Sequence, residues 1–274
     1  MRRLVFNADD FGMSHEHNLG VLQAHESGSI TAASLMMGEV GTEEAVAMAR
    51  KTPTLAVGLH IALSDATPVL PPEQIRSLVD DNGRFHKNES KLLLASFTPS
   101  GRRQIRAEIR AQFDAYQATG LPLDHINTHR HSHQLPTVAT ILFAEARRRN
   151  VKVSRLTLDP LREVHVLSDM ARLIRFYIVR HIMRSSGITT IYLSIGRDTP
   201  GHQWTPTTLL DVLRRIPPTI TELYFHPVIL PNHRYAIDVD TLIDEVVVNA
   251  IVELRRQSVP EIFSPSTPDL SHCT

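Results

Sequence analysis

Short apolar runs alternate with longer amphipathic stretches along most of the chain, and this alternation narrows the fold more than any other feature. Residues 4–7, 30–37, 55–63, 151–156, 189–194 and 222–225 read as strands. Between them lie helical patterns: one capped by Ser14 that runs to about Ser27 with Gly28 as its stop, then 42–51, 101–119, 136–149 and 241–256. Residues 66–90 hold Pro68, Pro71, Pro72 and Gly83, which predicts a long loop with a short helix over 73–79. Strand then helix, repeated with short connections, implies a parallel sheet. The expected fold class is α/β: a distorted (β/α) TIM-like barrel forming a single domain over residues 1–274, with a tail from about residue 260. A doubly wound open sheet is the second choice.

Composition removes whole classes of function. Twenty-nine basic and 29 acidic side chains leave a formal charge of zero, so no footprint for nucleic acid is visible. A hydrophobic content of 42% supports a sizeable core. The single cysteine, Cys273, excludes an intrachain disulfide framework and fits a reducing compartment. No stretch approaches the roughly 20 apolar residues of a membrane span. The opening MRRLVFNADDFG carries two aspartates after a short apolar run and does not read as a signal peptide. A cytoplasmic location is expected.

In a barrel of this kind the site lies at the carboxyl ends of the strands. Four polar clusters fall there: Asn7-Ala8-Asp9-Asp10, Gly58-Leu59-His60, the stretch DHINTHRHSH from Asp124, and Tyr224-Phe225-His226-Pro227. Neighbouring strand residues face opposite ways, so Asp9 and Asp10 can share a site only if the chain turns, and Gly12 makes a turn at Phe11-Gly12 easy. Alone, either aspartate could be a cap. His60 ends an apolar strand, where a histidine is more often a satisfied core side chain than a ligand; Gly58 before it implies a close approach to the backbone. His125, His129, His131 and His133 share parity, so in an extended segment they face one way. One ion cannot take all four together with His60 and a carboxylate, and periodicity does not choose among them; an exposed polar loop is the plainer reading of the cluster. His226 at a strand end, before Pro227, suits an acid or base. Two histidines and an aspartate can hold one divalent metal ion that activates water, with a carboxylate to take its proton. That is the equipment of a metal-assisted hydrolase.

These motifs, NADDFG, VGLH, HINTHRHSH and FHP in order over almost the whole chain, resemble the YdjC/ChbG-like carbohydrate deacetylases. The stretch VGLHIALSDATPVLPPEQIRSLVDDNGRF, with GLPLDHINTH and ELYFHP, is most similar to the hopanoid-biosynthesis branch, HpnK. The resemblance implies a distorted barrel, with Asp10, His60 and His129 as metal ligands, Asp9 as general base and His226 as general acid. Arg155 is implied to steady the base. His125, His131 and His133 are left for substrate contact or support around the ligands. Asn127 stands where the wider family has Asp, although the hopanoid branch also shows Asn; Ser132, Gln134 and Leu135 depart from the usual pattern. The implied substrate is an N-acetylated amino sugar, either N-acetylglucosamine on a hopanoid glycolipid or an oligosaccharide. The donor set suits zinc (Zn2+) by softness, whereas the family is described with magnesium (Mg2+).

Residues 170–186 mix Arg172, Arg175, Arg180 and Arg184 with large apolar side chains, a pattern for peripheral membrane contact. The stripe is not clean at helical spacing, which favours a partly buried helix or a homodimer contact. Two rival functions use the same residues: a non-haem iron oxidoreductase with a two-histidine, one-carboxylate triad, and a non-catalytic sugar- or lipid-binding relative.

Overall fold

All neighbouring strands of the sheet run parallel, in the order β6-β5-β4-β3-β2-β1-β8-β7. The strands are β1 (Arg3–Phe11), β2 (Ala32–Leu35), β3 (Ala56–Ile61), β4 (Ile126–Thr128), β5 (Val153–Arg155), β6 (Thr189–Ile191), β7 (Leu193–Ile195) and β8 (Ile220–Phe225). Only residue 192 separates β6 from β7. Because β6 pairs with β5 and β7 with β8, one stretch of chain joins both ends of the sheet into a nearly closed barrel of seven strand positions. A doubly wound sheet would keep two free edges and reverse its strand order; neither is found among the described residues. The computed structural model describes residues 3–156, 166–191, 193–196, 204–217, 219–230 and 236–258. Cys273 and the expected tail lie outside these residues.

The connections are α1 (His15–Glu26), α2 (Thr42–Lys51), α3 (Glu89–Phe97), α4 (Pro99–Ala118), α5 (Pro136–Arg148), α6 (Val166–Ser185), α7 (Pro206–Arg215), α8 (Ala236–Ile243) and α9 (Glu245–Arg256). The expected start signal of α1 is present, since the Ser14 hydroxyl accepts from the His17 N–H, and Gly28 takes φ +90° just past its end. The expected single helix over 241–256 is two. Asp244 interrupts it in extended geometry, and its carboxylate accepts the N–H groups of Val246 and Val247 to begin α9. The helix expected over 73–79 is one short 3-10 turn, Pro72–Gln74. Helices α3 and α7 were not expected; α3 starts on an Asn88 cap and α7 on Thr205, with Pro206 in its first turn. Among the described residues no helix is long and apolar enough to cross a membrane.

Strand alternation explains where the core and the site sit. In β1, Leu4, Phe6 and Ala8 join the large apolar cluster under the helices, while Val5 packs with Ala32, Ala56, Val153 and Ile220 in a small separate one. Continuing along the Val5 parity gives Asn7 and Asp9; along Ala56, Gly58 and His60; along Val153, Arg155; along Ile220, Glu222 and Tyr224. The barrel interior thus changes from apolar at the amino ends of its strands to polar at their carboxyl ends.

Buried Glu108 on α4 fixes the long connection after β3. Its carboxylate accepts the backbone N–H groups of Val69 (2.9 Å) and Leu70 (3.0 Å), and the Gln112 amide at 2.9 Å. Burial pushes this carboxyl above its ordinary pKa, partly offset by those donors. Glu108→Gln turns one acceptor into a donor against these N–H groups. A stability loss of about 1–3 kcal/mol is expected in denaturant unfolding; an unchanged midpoint would remove Glu108 as the clamp.

Candidate metal centre

The two aspartates reach one site through a feature of β1 itself. Pairing with β2 slips between Ala8 and Phe11, and Asp10 takes φ +62°. The extra residue is a β-bulge, with Asp10 in the left-handed region that Asp tolerates better than most side chains. The expected turn at Phe11-Gly12 is present, with the Met13 N–H donating to the Asp10 carbonyl at 3.1 Å and Gly12 at φ +92°; the bulge just before it is what brings Asp9 and Asp10 to one site.

The histidine cluster is not extended either. From His129 the chain enters a 3-10 segment, His129–Gln134, in which Arg130 and His131 have φ of 52° and 54°. The shared facing expected from parity is broken, and the four rings have four surroundings. His129 Nδ1 lies 2.9 Å from Asp10 Oδ1. His125 stands beside Ser34, with 3.1 Å between Nε2 and Oγ. His131 Nε2 meets the Tyr224 hydroxyl at 3.2 Å. His133 is buried behind Thr128, whose Oγ1 is 2.5 Å from its Nδ1, and burial holds it well below the usual histidine pKa, with His131, Arg155 and His60 adding to the effect.

Asp10, His60 and His129 come together: they offer donor atoms that all lie within 4.8 Å of one another, and all three are buried. His60 Nε2 is 3.3 Å from Asp10 Oδ1. His60 Nδ1 is 2.6 Å from Asn127 Oδ1, an acceptor, so this nitrogen carries the proton and Nε2 presents a lone pair to the group. One oxygen and two nitrogen donors in a dry, pre-shaped cluster fit a divalent cation. Burial raises the Asp10 pKa, but the charge and hydrogen bond of His129 overcome it, so the carboxyl stays well below its ordinary range.

Asp9 is held apart from this cluster. Its Oδ1 accepts from Asn7 (2.7 Å), Asn127 (3.0 Å) and Arg155 Nη2 (2.9 Å), and its Oδ2 from Arg155 Nη1 (2.6 Å). Arg155 is fully buried and donates its other edge to Glu222 at 2.8 and 2.7 Å, while its guanidinium lies 4.4 Å from the centre of the Tyr224 ring. Burial alone would raise the Asp9 carboxyl; Arg155 and the nearby His60 reverse that and hold it below the usual carboxylate range. His226 follows β8, its N–H bound by the Asp238 carboxylate at 3.0 Å and its ring edge-on to Tyr224 at 5.9 Å. Glu222 and Ser34 were not singled out from sequence, and Asn7 and Tyr224 were named only as members of strand-end clusters, without a role. The signal was there: Glu222, Tyr224 and His226 share strand parity, as do Asn7 and Asp9.

Gly58 has the close neighbour its position implied. A Cβ there would lie 2.5 Å from the His125 carbonyl oxygen and 2.6 Å from two of its ring carbons. Gly58→Ala is expected to cost about 1–3 kcal/mol by overpacking and to move His125; wild-type thermal stability in this variant would show that the His125 backbone and ring both yield freely.

Comparison with known proteins bears on the family and the fold. Two relatives, each named carbohydrate deacetylase, come from Brevibacillus brevis and Clostridium beijerinckii. The first is 40% identical over 151 residues, covering 55% of this chain and 58% of the relative; the second is 32% identical over 154 residues, covering 56% and 60%. The chain thus matches about three fifths of the length of these curated relatives. A crystal structure from Enterococcus faecalis, described as a proposed cellobiose-phosphate cleavage protein, superposes with a TM-score of 0.71 over 93% of this chain and 95% of that one; at 23% identity it attests the fold. A family profile described as YdjC-like protein matches residues 3–255, nearly the whole described barrel, and the chain belongs to that family.

Proposed function

We propose that this protein is a metal-dependent hydrolase that removes the N-acetyl group from an amino sugar. The observation that carries the reading is the buried convergence of Asp10, His60 and His129, with the separately held Asp9 next in sequence to one of them. The deacetylase names of its relatives support the reaction class. A divalent ion at Asp10, His60 and His129, zinc or magnesium, would acidify a water and polarise the acyl carbonyl. Asp9 takes the proton of the attacking water; its Oδ1 is filled by three N–H donors, which leaves Oδ2 as the accepting atom. Arg155 and Glu222 hold that carboxylate in place and ionised. His226 delivers a proton to the departing amine as the amide C–N bond breaks, and acetate and the free amino sugar leave.

The test is acetate release after chelator stripping and add-back of Zn2+ or Mg2+, comparing chitooligosaccharides with N-acetylglucosaminyl hopanoid. Release without oxygen also separates hydrolysis from iron oxidation chemistry. No release from any acetylated amine with any divalent ion would refute the reading.

The hopanoid glycolipid is the substrate form we favour, and α6 supports it. This helix packs against the 129–134 turn beside the site. Met170, Leu173, Ile174, Tyr177 and Ile178 are exposed along it, with Arg175 and Arg184 also exposed. An apolar stripe with cationic neighbours fits the surface of an anionic membrane. Vesicles containing phosphatidylglycerol are expected to co-sediment the protein, and Ile174→Glu with Ile178→Glu to lower that binding at least several-fold. If those substitutions leave vesicle binding unchanged, or dissociate a dimer in light scattering instead, the membrane assignment of α6 falls.

A further inference from the structure

A continuous file of hydrogen bonds runs from the partly exposed Asp124 inward to buried His60, and its donors and acceptors fit together in one way. We propose that Asp124, His125 and Ser34 are positioning residues for the metal centre, fixing the Asn127 amide and, through it, the His60 tautomer that presents Nε2 to a cation. This rests on the metal reading of Asp10, His60 and His129.

The proton positions follow link by link. Ser34 Oγ accepts from Asn7 Nδ2 at 2.9 Å and from Asn127 Nδ2 at 2.7 Å. Those two bonds use both lone pairs of the hydroxyl, so its own hydrogen goes to its remaining neighbour, His125 Nε2 at 3.1 Å. A His125 ring that accepts at Nε2 carries its proton on Nδ1, where Asp124 Oδ1 receives it at 3.2 Å. On the other side of Ser34, Asn127 spends its second N–H on Asp9 Oδ1, and its carbonyl oxygen accepts from His60 Nδ1. Reversing either amide would set its oxygen against the Asp9 carboxylate. Asp124 therefore selects the state of His125, His125 that of Ser34, and Ser34 together with Asp9 the orientation of the amide that sets His60.

An aspartate, a histidine and a serine in one file invite comparison with a nucleophilic triad. Ser34 is fully buried, and both of its acceptor sites are occupied by amides, so the hydroxyl has no approach to an acyl carbon. Its place in the barrel, level with Gly58 two residues before His60 on β3, is that of a support. Partners of this kind around a metal site fix ring orientation and raise ligand basicity, and their loss costs about 10–100-fold in metal affinity.

The experiment uses the full chain labelled with 15N-histidine and freed of metal, at a pH above the ordinary histidine range. Long-range proton–nitrogen correlation reads the tautomers of His60 and His125, and competition with a chromogenic chelator reads zinc affinity. The expected wild-type result is Nδ1–H at both rings. Ser34→Ala is expected to mix the His60 tautomers and to weaken zinc about 10–100-fold. Asp124→Ala, which removes the acceptor at a partly exposed side chain, is expected to release His125 from Nδ1–H and to weaken zinc in the same direction. It carries the test if Ser34→Ala does not fold. His60 protonated on Nε2 in the wild type, or variants with wild-type tautomers and zinc affinity, would overturn the proposal. Absence of zinc uptake by the wild type would instead remove the metal reading, and the tautomers of the metal-free protein would still decide this one.

Discussion

Asp9→Asn is expected to lower kcat by about 10²–10⁴-fold while the protein keeps its full complement of metal. The four side-chain hydrogen bonds of Asp9 go to Asn7, Asn127 and Arg155 and not to the donor cluster. The substitution removes the carboxylate proposed to take the proton of water and leaves the side chains of Asp10, His60 and His129 in place. It also sets an amide N–H against Arg155 Nη1, so some loss of thermal stability accompanies the loss of turnover, and circular dichroism with metal analysis keeps the two apart. A folded, metal-replete variant with undiminished kcat would end the assignment of Asp9 as the base.

The pH dependence of this group has a definite sign. A carboxyl held below its unfolded value contributes stability that is present above about pH 4 and lost as pH falls through the folded value. Asp9 therefore stays ionised throughout the neutral and mildly acidic range. Loss of activity between pH 7 and 5 is expected to reflect histidine protonation, and Asp9→Glu, which keeps a carboxylate, should leave the position of that limb unchanged in a profile of kcat/KM.

Much of the site was legible because strand parity is strict. His60 sits on β3 as its apolar run implied, and His226 follows β8 where Pro227 had placed a strand end. The rule that failed was the assumption of regular backbone. Asp10, Arg130 and His131 all take positive φ, and no apolar pattern announces a left-handed residue, since the conformation is imposed by pairing with a neighbouring strand or by a packed turn. The same blindness hid Glu222: it reads as a charge within a strand until Arg155, 67 positions away, supplies its partner. The unassigned α3 lies just beyond proline- and glycine-rich chain, where turn signals mask a Asn88 cap. The strand expected over 189–194 spans β6 and β7, and along it the pairing passes from β5 to β8, which is what brings the two ends of the sheet together.

Asp10→Asn is the sharper test of the metal centre, because it changes charge while keeping size and backbone. Asn tolerates the left-handed region about as well as Asp, so the bulge in β1 survives, and its carbonyl can still accept from His129 Nδ1. A neutral amide oxygen is a far poorer partner than a carboxylate for a divalent ion, and this is the one anionic donor of the cluster. The affinity loss should exceed the roughly 100-fold that follows removal of an outer partner. Mass action turns this into a stability readout: a ligand at 100 times its Kd stabilises the folded state by about 2.7 kcal/mol. Wild-type protein should therefore show a metal-dependent rise in Tm, and Asp10→Asn should show little or none at the same concentration. An equal metal-induced rise in both proteins would mean that the cation binds elsewhere, and the convergence of Asp10, His60 and His129 would lose its functional meaning.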